Sequence, residues 1–160
     1  MTRATARTLA LIVEERLASL LATELETLTA DLATEAIEAK QFVVTAQTAP
    51  ACIRSLLVQF AADASGTLLG ALLIGRVPFA LANKNAIARA SGMTDEAAPG
   101  DYWHAHPCDL YYMNLQGVWQ DLDGDGVLDS WHGDRRADIW VSRLRADTVA
   151  EAYGSSEADL

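Results

Sequence analysis

The order of apolar segments predicts an α/β fold, a three-layer sandwich built on a mostly parallel sheet. Two observations carry this expectation. Short, continuously apolar runs alternate with amphipathic stretches of helical period, and the chain of 160 residues, 51% of them hydrophobic, suffices for one compact core spanning 1–160.

Thr8 to Val13 is apolar throughout, which suits a strand buried on both faces. From Glu15 onward Leu17, Leu21, Leu25, Leu28 and Leu32 recur every three or four residues with Glu24, Glu26, Asp31 and Glu35 between them, the pattern of an amphipathic helix. Gln41 to Ala46 reads as a second strand. Thr48 before Pro50 resembles an N-cap followed by an early helical proline, and Ile53, Leu56, Leu57 and Phe60 mark the second helix, ended by Ser65-Gly66. Leu68 to Ile74 reads as a third strand. Gly75 to Phe79 leave its carboxyl end, and a stretch rich in Asn, Ala, Gly and Pro runs to about Gly100; in open α/β sheets such loops are where ligands bind. Ala137 to Leu144 is expected to form a fourth strand and Asp147 to Tyr153 to begin another helix.

A formal charge of -10 with no Lys/Arg stripe argues against nucleic acid and anionic membrane surfaces as partners, because both require a basic face. The longest apolar run, Leu68 to Ile74, falls far short of the roughly 18 residues of a membrane span. Met1 to Arg7 is basic, but Glu14, Glu15 and Arg16 soon interrupt the apolar stretch that follows, which makes a poor secretory signal. Two cysteines, Cys52 and Cys108, form no disulfide framework and leave the compartment open.

The segment Asp121-Leu122-Asp123-Gly124-Asp125-Gly126-Val127-Leu128-Asp129 carries the most chemistry. Ca²⁺ takes six to eight oxygens, and in an EF-hand loop the first, third and fifth residues point theirs inward while a glycine in sixth place permits the sharp turn. Counted from Asp121, those places hold Asp121, Asp123, Asp125 and Gly126; Val127 would offer a backbone carbonyl and Asp129 a direct or water-mediated oxygen. The twelfth place holds His132 and not the bidentate Glu of an EF-hand, so Asp134 is the expected residue to close the shell. Asp and Gly also form ion-free turns. The carboxylates repel one another, however, and a cation would remove that cost as it ordered the loop.

His104, His106 and Cys108 lie within five residues, so a zinc site or a Cys108/His132 pair is conceivable. A solvated loop is the plainer reading, because close spacing with Pro107 before the last residue rarely reaches one tetrahedral metal. Cys52 fits a buried small hydrophobe. Trp103, Tyr111, Tyr112, Trp119, Trp131 and Trp140 concentrate in the second half, where core packing around the loop is the first use for them. No glycine-rich phosphate motif follows the first strand, which disfavours nucleotide binding.

Four segments in order, Leu72-Leu73-Ile74-Gly75-Arg76-Val77-Pro78, Asp109-Leu110-Tyr111-Tyr112, Trp119-Gln120-Asp121-Leu122-Asp123-Gly124-Asp125-Gly126 and Asp138-Ile139-Trp140-Val141-Ser142-Arg143-Leu144, resemble the gingipain-type cysteine peptidases of caspase-like fold. Ser142 stands where that family usually has glycine. The resemblance implies the front portion of an endopeptidase domain with a calcium-binding loop at about 121–134. It also implies a histidine and a cysteine nucleophile on later strands, beyond Leu160, so the chain is expected to be truncated and inactive alone. A missing C-terminal segment, or self-association through an open sheet edge, is the partner so implied, with a peptide substrate only on completion. The alternative is a non-catalytic, calcium-stabilised binding or structural module. The family is largely secreted, which suggests an extracellular setting.

Overall fold

The computed structural model describes residues 6–63, 66–83, 105–134 and 136–146; the expected irregular stretch to Gly100, Trp103, His104 and the helix from Asp147 lie outside the described residues. The chain divides into two compact units, Met1–Pro78 with Ile139–Leu160, and Phe79–Asp138.

The first unit opens with β1 (Ala6–Glu14), α1 (Glu15–Leu20), α2 (Ala22–Thr34), β2 (Ile37–Val44), α3 (Pro50–Asp63) and β3 (Gly66–Ile74). The second holds the short strands β4 (Leu81–Asn83), β5 (Ala105–Pro107), β6 (Val118–Gln120), β7 (Val127–Leu128) and β8 (Ser130–His132), with one helical turn at Leu110–Met113. The chain then returns to the first unit as β9 (Trp140–Leu144).

The main sheet has the order β2-β1-β3-β9 and every pairing in it is parallel. The α/β class with a parallel sheet is therefore as the sequence predicts. Side chains alternate across it. Leu9, Leu11 and Val13 of β1, with Leu72 and Ile74 of β3, pack against Leu17, Leu25, Leu28 and Leu32 of α1 and α2. On the opposite face Ile12 pairs beside Phe42, whose ring meets Phe60 of α3 edge-on at 5.3 Å. This two-sided cover explains why β1 is an unbroken apolar run, with Leu9 to Val13 all buried.

Several boundaries differ from the sequence pattern. The first helix breaks at Leu21, which adopts φ -104° and ψ 22°. The second strand begins at Ile37, before the apolar run, because its edge position tolerates Glu38 and Lys40. Pro50 does start α3, but the Thr48 hydroxyl accepts the Thr45 N–H at 3.0 Å, and it is the Ala49 carbonyl that receives the first helical amides. β9 begins at Trp140, since Asp138 is engaged by loop amides instead. The short strands of the second unit carry no periodic signal long enough to read.

At the carboxyl end of β3 the chain turns through Gly75 at φ +84°, a conformation that disfavours any residue with a Cβ. Buried Glu14 crosses this turn and accepts the Arg76 N–H at 2.8 Å. From β9, Arg143 donates to the Val77 and Pro78 carbonyls at 2.6 and 3.1 Å and pins the exit from the sheet.

Candidate metal centre

The acidic loop closes a two-stranded antiparallel ribbon, in which β6 pairs with β8 through Val118 with His132, Trp119 with Trp131, and Gln120 with Ser130. The Asp129 N–H donates to the Gln120 carbonyl at 2.8 Å, so the ends of the loop are held together. Gly124 and Gly126 sit at φ +81° and +87°, which lets the chain coil tightly enough to turn successive carboxylates to one side.

Each of Asp121, Asp123 and Asp129 offers a carboxylate oxygen, and these oxygens lie within 4.8 Å of one another. Ligands on opposite sides of a cation, each about 2.4 Å from it, would be about 4.8 Å apart. The three oxygens can therefore share one metal ion. A donor set of carboxylate oxygens suits a hard cation and lacks the sulfur and imidazole that softer metals prefer.

Backbone amides aim these side chains. Asp121 accepts from Gly124 at 2.7 Å and from Gly126 at 2.9 Å. Asp123 accepts from Asp125 at 3.2 Å, and Asp129 from Leu122 at 2.9 Å. The electrostatic result differs between neighbours. The Gly126 amide, helped by further loop amides, holds the Asp121 carboxyl below its ordinary value. For Asp123 the Asp125 amide pulls down, but desolvation and the charges of Asp125, Asp129 and Asp121 together push it up. Asp123 is thus the carboxylate on which the crowding falls.

Asp125 and Asp134 are not members of this three-carboxylate group. Asp125 turns one oxygen onto the Val127 N–H at 2.8 Å, and Val127 pairs with Leu81 of β4. Asp134 forms an ion pair with Arg136 at 2.9 Å. His132 is an exposed ribbon residue opposite Val118.

Behind the ribbon lies a group the sequence did not single out. Asn114 is fully buried, donates from Nδ2 to the Asp134 and Arg136 carbonyls at 2.7 Å each, and accepts the indole N–H of Trp131 at 3.1 Å and of Trp119 at 3.3 Å. The two indoles stack with centroids 4.8 Å apart, and Tyr111 meets Trp119 edge-on. One amide therefore ties both strands of the ribbon to the chain that follows it. Gly117 is required here because a Cβ at that place would run into the Asn114 Oδ1. An Asn next to an apolar turn has no signature of this in sequence; only its spacing from Gly117 and Trp119 hints at it.

Cys108 is buried, and burial pushes its thiol up in spite of backbone hydrogen bonds from Tyr111 and Leu110. A raised thiol is a poor nucleophile and a poor zinc ligand at neutral pH. Cys52, expected to be buried, is exposed on α3. Iodoacetamide is expected to label Cys52 readily and Cys108 only after denaturation; equal labelling of both in the folded protein, followed by peptide mass mapping, would contradict this placement.

No described helix is long and apolar enough to cross a membrane. Comparison of the chain with protein-family models, with curated proteins and with solved structures returns no match.

Proposed function

We propose that the loop 121–129 binds Ca²⁺ and that the chain acts as a calcium-ordered α/β module. The observation that carries this reading is the convergence of Asp121, Asp123 and Asp129 oxygens within 4.8 Å, on a loop whose glycines and amides hold them there. An all-oxygen set on an exposed turn favours Ca²⁺ over Mg²⁺, which demands a tighter octahedron and gives up its waters reluctantly. Without a bidentate Glu in the shell, affinity falls in the weak range of about 10⁻⁴ to 10⁻³ M typical of extracellular modules.

The module is proposed to resemble the front of a gingipain-type, caspase-like domain, and the parallel order β2-β1-β3-β9 supports that likeness. Such a domain would need a histidine and a cysteine from another segment to cleave peptides. The outer edge of β9, where Trp140 and Leu144 are 45% and 54% exposed, is where an added strand would pair. The buried, raised Cys108 favours the non-catalytic reading for the residues described.

Thermal unfolding tests the calcium reading. At a calcium concentration of about one hundred times Kd, the bound state gains about 2.7 kcal/mol. A clear rise in Tm is expected, reversed by chelator and absent in Asp121→Ala. Identical melting curves with calcium and with chelator would end the proposal.

A further inference from the structure

The acidic loop holds Asp123-Gly124 and Asp125-Gly126, and nowhere else in the sequence does an aspartate precede a glycine. Such a step is chemically vulnerable. Glycine has no Cβ to shield its own nitrogen, so the carboxyl of the residue before it can reach that nitrogen and close a succinimide ring. Any larger residue in the glycine's place hinders the approach.

The folded loop leaves both steps open. Residues 121–126 are all exposed, and no neighbouring atom lies within 4 Å of where a Cβ would stand on Gly124 or Gly126. Asp123 accepts the Asp125 N–H at 3.2 Å and Asp125 accepts the Val127 N–H at 2.8 Å, so each carboxyl curls over the glycine that follows it. Both glycine nitrogens donate to Asp121, at 2.7 and 2.9 Å. A carboxylate that accepts an amide N–H raises the electron density on the nitrogen.

The two steps differ in what restrains them. Val127 belongs to β7 and pairs with Leu81 of β4, so Asp125 is bonded to a nitrogen fixed in a strand. Asp123 is bonded, at the greater distance, to an amide of the exposed turn itself. Swinging the Asp123 carboxyl onto the Gly124 nitrogen therefore breaks the weaker of the two bonds.

We propose that Asp123-Gly124 is a site of spontaneous isomerisation to isoaspartate, with water as the co-reactant. The Gly124 nitrogen forms a bond to Asp123 Cγ, and the hydroxyl of the carboxyl leaves with the amide proton as water. A second water then opens the succinimide. Attack at the former side-chain carbonyl restores Asp123, whereas attack at the main-chain carbonyl breaks the original peptide bond and leaves Gly124 joined through Cγ. The change is redox-neutral. Its product carries the carboxylate on Cα and has a longer backbone, so an oxygen is lost from its place beside Asp121 and Asp129. The reaction needs no ion in the loop.

The test is incubation of the full chain at neutral pH in chelator and heavy-oxygen water, beside a sample in urea, followed by proteolysis and peptide mass spectrometry that separates Asp from isoaspartate. In the folded chain, isoaspartate and heavy oxygen are expected to accumulate at Asp123 severalfold faster than at Asp125, and only in trace at Asp31, which precedes Leu32 in α2. In urea Asp123 and Asp125 should react alike, because the strand that restrains Asp125 is gone. Asp123→Glu keeps the charge but cannot close the same ring, and should remove the signal at that position alone. The proposal is overturned if the folded chain forms no isoaspartate at Asp123, if Asp125 reacts as fast as Asp123 in the folded chain, or if heavy oxygen enters Asp31 equally.

Discussion

Asn114→Ala is expected to destabilise the unit Phe79–Asp138 by about 3 to 5 kcal/mol. The change would strand two carbonyls, at Asp134 and Arg136, and two indole N–H groups, at Trp119 and Trp131, around a fully buried cavity. Each unsatisfied buried group costs about 1 to 3 kcal/mol, and water entering the cavity recovers part of that sum. Asn114→Asp should fall between, because it keeps an acceptor for the indoles and loses both donors. Unfolding followed by tryptophan fluorescence reads the effect directly, since Trp131 is only 5% exposed. A loss below about 1 kcal/mol would mean that the amide does not hold the ribbon.

Asp123→Asn is expected to act with opposite signs on the two states of the loop. Without metal it should leave stability unchanged or raise it, because Asp123 is the carboxyl pushed up by its acidic neighbours. With calcium it should remove most of the rise in Tm, because a neutral amide oxygen is a weaker ligand for a hard cation than a carboxylate. Asp121→Asn differs, since Asp121 also anchors the Gly124 and Gly126 amides and should cost stability in both states. If Asp123→Asn lowered stability without metal and kept the full calcium response, the cluster would be a hydrogen-bonded turn and not a cation site.

The same pair contributes opposing terms to the acid behaviour of the metal-free loop. Asp123 has a folded value above the ordinary 3.8, so the folded state holds its proton more tightly; the stability this adds is full below 3.8 and is lost as pH rises through the folded value. Asp121 has a folded value below 3.8, so its contribution is present above 3.8 and is lost as pH falls through the folded value. The two trends oppose each other across the acid limb. Asp123→Asn leaves the Asp121 trend alone, and the variant should therefore lose stability more steeply than the parent as pH falls below about 4.

Much of the first unit was legible because burial there is regular. Leu9 to Val13 and Leu68 to Ile74 are apolar because both faces of their sheet are covered, and the leucines from Leu17 to Leu32 keep one helical face. Ile37 and Lys40 escaped because an edge strand needs no continuous apolar run. In the second unit the strands are two or three residues long, too short for any period to show, and its order comes from side-chain bonds such as those of Asn114. The loop itself was readable in Asp121, Asp123, Asp129 and the two glycines, whose spacing dictates a turn. Asp134 forms an ion pair with Arg136, only two residues away, and that pair competes with any role in the shell. Residue types alone cannot rank those two uses.

The most direct measurement is calorimetric titration of the full chain with calcium, after exhaustive chelation, beside the Asp121→Ala/Asp123→Ala double variant. One site per chain is expected in the parent, with weaker binding of magnesium and no heat of binding in the double variant. A parent that binds no calcium, or a double variant that binds it equally, would contradict the assignment of the loop.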